Sequence, residues 1–151
     1  MNVVGWLDPE EQHVWRTYLA VTSKLDERLD RALRKESGIT LVEYGLLVHL
    51  SEAPERRLRM SLLADAVLVS KSRLSHQVAR LERDGYVRRE TCGEDRRGSW
   101  AVLTDKGLEA VRSAAPGHVS DVRRYFFDHL TPDDLKELRD TLDRLNRGLD
   151  D

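Results

Sequence analysis

The sequence predicts a mainly α-helical α+β domain with one small β-hairpin, beginning and ending in long helices. Three observations predict it. Capping side chains followed by apolar residues at steps of three and four recur at Asp8, Thr40, Ser70, Thr104 and Thr131, which marks helix starts. Two short runs, Tyr86 to Glu90 and Ser99 to Leu103, read as the strands of a hairpin. The length of 151 residues, 40% of them hydrophobic and 34% charged, supplies one compact core and is too short for a barrel enzyme.

The first helix starts at Asp8-Pro9-Glu10-Glu11, a capping side chain, a proline at the first helical position and two carboxylates at the positive end of the dipole. Trp15, Leu19, Thr22, Leu25, Leu29 and Leu33 then recur at helical spacing until Ser37-Gly38 supplies a stop. Thr40-Leu41-Val42-Glu43 reads as a capping box, in which threonine and glutamate each accept an amide proton. The helix it opens carries Tyr44, Leu46, Leu47, Val48 and Leu50, so it belongs in the core, and Pro54 follows its end. A short extended piece from Leu58 to Met60 and a short helix from Ser61 through Ala66 come next.

Ser70 caps another helix, closing at Asp84-Gly85, whose apolar stripe of Leu74, Val78 and Leu81 is narrow. The rest of its surface is hydrogen-bonding. The two strands that follow are joined by the polar segment Thr91 to Gly98, a hairpin with an exposed, basic tip. Thr104-Asp105-Lys106-Gly107 opens a long helix carrying Leu108, Val111, Ala115, Val122 and Phe126, which Pro116-Gly117 is expected to kink or interrupt. Thr131-Pro132-Asp133-Asp134 starts the last helix. Its Leu135, Leu138, Leu142, Leu145 and Leu149 form a seam of the coiled-coil type.

A net charge of −2 hides an asymmetry. Between Pro54 and Leu103 eleven basic side chains accompany seven acidic ones, a net of +4, while the remainder carries fourteen against twenty, a net of −6. A cationic middle between acidic ends suits a chain that meets a polyanion on one surface. The single Cys92 excludes an intrachain disulfide and reads as incidental, with oxidant sensing the alternative. The N-terminus has no basic region followed by an apolar run, and no stretch approaches the roughly 18 apolar residues of a membrane span, so the expected compartment is the cytoplasm, with no membrane partner. His13, His49, His76, His118 and His129 show no ligand-like pairing, so no metal or other cofactor is expected. Without a nucleophile elbow or phosphate loop, catalysis has little support.

Helix, helix, short helix, polar-faced helix and hairpin, in that order, make a winged helix-turn-helix. A major groove about 12 Å wide admits one α-helix, which must keep its donors and acceptors off the core stripe. Ser70, Lys71, Ser72, Arg73, Ser75, His76 and Gln77 supply that stock. Over nearly its whole length the chain resembles the multiple-antibiotic-resistance regulator (MarR) family of winged-helix transcription factors. Asp95-Arg96-Arg97-Gly98, followed by Leu103-Thr104, is similar to that family's wing signature and the start of its fifth helix. Lys71 through Ser75 and Leu81-Glu82-Arg83-Asp84-Gly85-Tyr86-Val87 are similar to its recognition helix and the strand after it.

The resemblance implies a homodimer joined by its first and last helices, with recognition helices in successive major grooves of double-stranded DNA and wings in the flanking minor grooves. The two apolar stripes agree, since pairing protomers would bury them at roughly 25 cal/mol per Å². Within a single domain spanning 1–151, residues 8–37 and 104–150 are then dimerisation helices and 40–103 the DNA-binding lobe. Arg96 and Arg97 become wing contacts, one of them in a narrow minor groove, and the family pattern has Asp95 orient its neighbouring arginine. Arg73, Ser75, His76 and Gln77 are candidates for base edges. Lys71, Ser72, Arg80, Arg88 and Arg89 are candidates for phosphates. The resemblance also suggests an effector pocket for aromatic acids or phenols, which Trp15, Tyr18, Tyr44, His49 and Phe126 could line; the alternative is that these side chains are core or dimer packing.

Two functions remain open on the sequence. One is a homodimeric, sequence-specific transcriptional regulator, most often a repressor on a palindromic operator with release by a small molecule. The other is a winged-helix module that docks a protein partner and ignores DNA. The basic wing favours the first, because packing on protein needs no arginine pair.

Overall fold

The computed structural model describes residues 5–67, 69–92 and 95–150, with residues 92 and 95–97 described by backbone alone. Over these residues the order is α1 (Pro9–Ser37), α2 (Leu41–Glu52), β1 (Arg57–Arg59), α3 (Met60–Val67), α4 (Lys71–Arg83), β2 (Val87–Cys92), β3 (Asp95–Leu103), α5 (Asp105–Tyr125) and α6 (Pro132–Leu149). This is the mainly helical α+β class, and the run α2, α3, α4 and hairpin is a winged helix-turn-helix.

The helices begin where their caps direct. Asp8 and Glu11 exchange backbone-to-carboxylate bonds of 2.8 Å. The Thr40 hydroxyl accepts the Glu43 N–H at 3.0 Å and the Glu43 carboxylate the Thr40 N–H at 3.2 Å, and Thr131 and Asp134 pair in the same way at 3.1 and 2.9 Å. Each exchange satisfies two amides that helix geometry leaves without partners. Gly38 closes α1 at φ +71°, a left-handed turn that costs glycine least, and its N–H reaches the Arg34 carbonyl.

The core gathers where α2, α3 and α4 meet the inner face of the sheet, around Leu46, Leu47, Leu50, Leu63, Val78 and Leu81. Strand order is β1-β3-β2, all antiparallel. The extended piece after α2 therefore joins the expected two-stranded hairpin as a third strand, with Leu58 opposite Ala101 and Arg59 opposite Trp100. The sequence marks the extended piece itself, but its pairing across some forty residues leaves no local mark.

Helix α5 continues through Pro116-Gly117, so the pair does not interrupt it. The proline forfeits a backbone bond, at about 3 kcal/mol in a helix interior. Packing compensates: Ala114 is buried, and α1 lies so close that a Cβ on Gly117 would come within 2.6 Å of Glu36 Oε2.

The start of α5 clamps the turn after α4. Thr104 Oγ1 accepts the Gly107 N–H at 3.0 Å and donates to the Gly85 carbonyl at 2.7 Å, while Lys106 Nζ donates to the Asp84 carbonyl at 2.7 Å. The end helices are less covered. Leu29 and Leu33 of α1 are buried within the protomer, whereas Trp15, Tyr18 and Leu19 on the same helix are exposed. No side chain of α6 is buried. Among the described residues no helix is long and apolar enough to cross a membrane.

Candidate nucleic-acid interface

Helix α4 is held by one face and offers the other. Ser70 caps it, Oγ accepting the Arg73 N–H at 3.3 Å, and Leu74, Val78 and Leu81 are buried. Lys71, Ser72, Arg73 and His76 lie exposed, with Gln77 and Ser75 partly so. That division follows from one apolar residue every three or four positions on a helix whose remaining residues are polar.

Ser75 is less free than its neighbours. Arg89 reaches across from β2 and donates to the Ser75 carbonyl at 2.7 Å, with Ser75 Oγ 3.4 Å away. Glu82 at the other end of α4 accepts the Arg89 N–H at 3.0 Å. Arg89 therefore ties α4 to the hairpin. Its neighbour Arg88 faces the opposite side of the sheet, as alternation along a strand requires, and donates to Glu90 at 3.0 Å. Glu90 also takes Arg57 at 3.4 Å, whose guanidinium lies 4.3 Å over the Trp100 ring. The strand register thus separates two arginines that the sequence put in one role.

Arg80, another phosphate candidate, points its Nε at Glu43 Oε1, 3.2 Å away. Glu43 is 1% exposed, while Arg80 is about half exposed. The carboxylate that caps α2 therefore also ties α4 to the rest of the lobe, a double use the capping-box pattern does not reveal. Asp30 of α1 meets the same corner, its Oδ1 accepting the Leu41 N–H at 2.9 Å. Among the wing candidates, Asp95, Arg96 and Arg97 have backbone in β3, and their side chains lie outside the description.

The five effector candidates are not gathered into one cavity. Trp15 and Tyr18 stack with centroids 6.0 Å apart on the exposed half of α1. Trp15 alone of the five lines a cleft of about 310 Å³, with Trp6, Leu7, Gln12 and Arg16. His49 is exposed, and Phe126 packs edge-on against Phe127 at 5.1 Å. Tyr44 is buried against the His118 ring of α5 at 4.6 Å. Among the described residues no cluster of three or more His, Cys, Asp and Glu could hold a metal ion.

The Tyr44–His118 contact, where the lobe meets α5, went unread in the sequence because each residue sits alone in its own helix pattern. Burial pushes the Tyr44 hydroxyl upward, aided by Glu52. Burial holds His118 below the ordinary histidine value, with Asp121 opposing. Its Nδ1 is buried and has no hydrogen-bond partner among the described residues. The folded state thus binds a proton at His118 less readily than the unfolded chain. Stability is full above the ordinary histidine value and falls as pH drops through it toward the lowered folded value. Melting curves between about pH 8 and pH 5 should show this decline, and His118→Phe should flatten it.

A buried-stripe helix with an open polar face, locked to a basic hairpin, defines a winged-helix regulator of transcription. The chain belongs to the MarR family. The MarR family profile matches residues 37–98. Sco3205 of Streptomyces coelicolor, a MarR family transcriptional regulator solved in complex with DNA, is 49% identical with a TM-score of 0.93, over 99% of this chain and 93% of that one. AbsC of the same organism, also a MarR family regulator, is 49% identical with a TM-score of 0.90, over 97% of this chain and 98% of that one. PecS of Dickeya dadantii, an HTH-type transcriptional regulator, is 29% identical over 148 residues, covering 95% of this chain and 86% of PecS. These relatives are transcriptional regulators, not enzymes.

Proposed function

We propose that the protein is a homodimeric, sequence-specific double-stranded DNA-binding repressor that occupies a palindromic operator and is released by a small aromatic or phenolic effector. The reading rests on α4: Leu74, Val78 and Leu81 fix its depth in the lobe, leaving Lys71, Ser72, Arg73, His76 and Gln77 on the open side. Arg73 suits guanine and Gln77 suits adenine, each through paired hydrogen bonds. Ser70, Lys71 and Ser72 lie at the end of the helix where backbone amides attract phosphate. Arg96 and Arg97 are assigned to the minor groove, with Asp95 beside them. The exposed apolar faces of α1 and α6 support a twofold dimer, and twofold symmetry in the protein is mirrored by a palindrome in the DNA, with half-sites about 10 bp apart. A dimer clamped across both half-sites excludes polymerase. An effector releases it by binding one dimer geometry better than the other.

An anisotropy titration over the DNA upstream of the protein's own gene tests the reading. Affinity should fall with salt at a slope near 0.9 per phosphate neutralised. Arg97→Ala should weaken all sequences alike, and Gln77→Ala should relax preference at one or two base positions, at roughly 1 to 3 kcal/mol each. Parent-like binding by both variants would remove the site assignment. Failure of the unaltered protein to bind any duplex would remove the function.

A further inference from the structure

We infer that Glu43 is a positioning residue for base reading: through Arg80 it fixes the roll of α4 about its own axis, and Arg80 is thereby kept off the phosphates; this rests on the DNA-binding reading above. Glu43 is 1% exposed. Its Oε2 accepts the Thr40 N–H at 3.2 Å, while its Oε1 is buried without a hydrogen bond among the described residues and has Arg80 Nε 3.2 Å away. The guanidinium is thus the countercharge of that oxygen. The platform beneath it is firm, because the Thr40 hydroxyl accepts the Glu43 N–H and Asp30 of α1 accepts the Leu41 N–H at the same helix start.

Position along α4 says what the tie does. Arg73, Gln77 and Arg80 follow one another at steps of four and three, so they share one stripe of the helix. Beside it runs the buried stripe of Leu74, Val78 and Leu81. Apolar burial fixes how deep the helix sits, but it is non-directional and resists a small roll only weakly. A charged contact at one end of the polar stripe resists it directly. A roll of about 10° carries a side-chain tip, some 5 to 6 Å from the axis, through about 1 Å. Good hydrogen bonds span only about 0.5 Å in length. Gln77, one turn from Arg80, would lose its base edge to such a roll.

A phosphate that drew Arg80 away would strand Glu43. Removing one partner of a buried pair leaves an uncompensated charge, which costs more than a half-exposed guanidinium gains from one new contact at the surface. Arg80 therefore stays on Glu43 when DNA is bound. The stripe is then two base-facing side chains, Arg73 and Gln77, followed by an internal strut. The capping-box pattern gives no sign of this, because the Thr40 amide alone already accounts for a glutamate at that position.

The test uses a duplex selected from a random pool by the unaltered protein and a shuffled duplex of the same composition, each titrated at several salt concentrations. Glu43→Gln keeps an oxygen for the Thr40 N–H, as the capping box allows, and removes the charge that faces Arg80. It should lower the ratio of selected to shuffled affinity about tenfold, and Arg80→Met should do the same. The double variant should lose no more than either single one, and additive losses would overturn the inference. Arg80→Met should also keep the parent slope of log affinity against log salt. A phosphate contact would instead lose about 0.9 for each protomer bound, which would overturn the inference. A tie that only stabilises the lobe would lower the melting temperature and leave the ratio alone, with the same consequence. Should Glu43→Gln not fold, Arg80→Met decides by ratio and slope together, since its side chain is half exposed. Selection of no duplex at all overturns this inference and the DNA-binding reading together, whereas a selected duplex with parent-like ratios in the variants overturns this inference alone.

Discussion

Gly107→Ala is expected to destabilise the fold by about 3 kcal/mol. A Cβ at this position would lie 2.1 Å from the Tyr86 carbonyl oxygen and 2.6 Å from Leu103 Cδ1. Neither neighbour is a flexible tip. The carbonyl of Tyr86 is backbone that accepts the Thr104 N–H at 3.1 Å, and Leu103 is buried in the core. Relief requires the first turn of α5 to lift away, and that turn holds Gly85 through Thr104 and Asp84 through Lys106. The displacement therefore reaches the turn joining α4 to β2. For a chain of this size the loss corresponds to a melting temperature lower by roughly 6 to 12 °C, compared at one protomer concentration. Gly45→Ala is the matched control. It lies inside α2 with nothing within 4 Å of the added Cβ, so it should stabilise by about 0.5 to 1 kcal/mol. Equal melting of the two variants would mean that α5 does not press on Tyr86 in solution.

The same pair of glycines shows what the sequence makes legible. Helix starts at Asp8, Thr40, Ser70, Thr104 and Thr131 are local chemistry, written in three or four adjacent residues, and each lies where it was read. The narrow stripe of α4 is local too. Contacts between distant segments are not: β1 pairing with β3, Glu43 meeting Arg80, and Tyr44 packing against His118 each join residues with no shared pattern. Continuation of α5 past Pro116 belongs with these, because a helix breaker is a local signal and packing against α1 is not. Arg88 and Arg89 form the sharpest instance. Adjacent in the chain and identical in type, they are sent to opposite faces of the sheet by a period of two, and only the register says which one meets α4.

On the homodimeric reading proposed above, Leu142→Glu or Leu145→Glu in α6 is expected to leave separate protomers and, through that, to abolish tight operator binding. Leu142 is 44% and Leu145 59% exposed in the protomer. In a chain that stayed solitary, replacing either would fall within about 0.5 kcal/mol of neutral, because little apolar area is covered and a surface charge is well solvated. In a twofold dimer each substitution occurs twice. Every leucine lost from the seam removes roughly 1.5 to 3 kcal/mol of burial, and each new carboxylate must shed water beside apolar neighbours. At 1.4 kcal/mol per decade, two copies weaken dimerisation by at least a hundredfold. Sedimentation equilibrium at micromolar protein should give half the parent mass with an unchanged circular dichroism spectrum. Operator affinity should fall with it, because two linked lobes bind the second half-site at an effective concentration near millimolar, and an unlinked lobe has no such advantage. A variant that sedimented like the parent would move the dimer contact off α6. A parent that itself sedimented as a protomer would leave the exposed faces of α1 and α6 for some other purpose and dissolve the twofold argument for a palindrome.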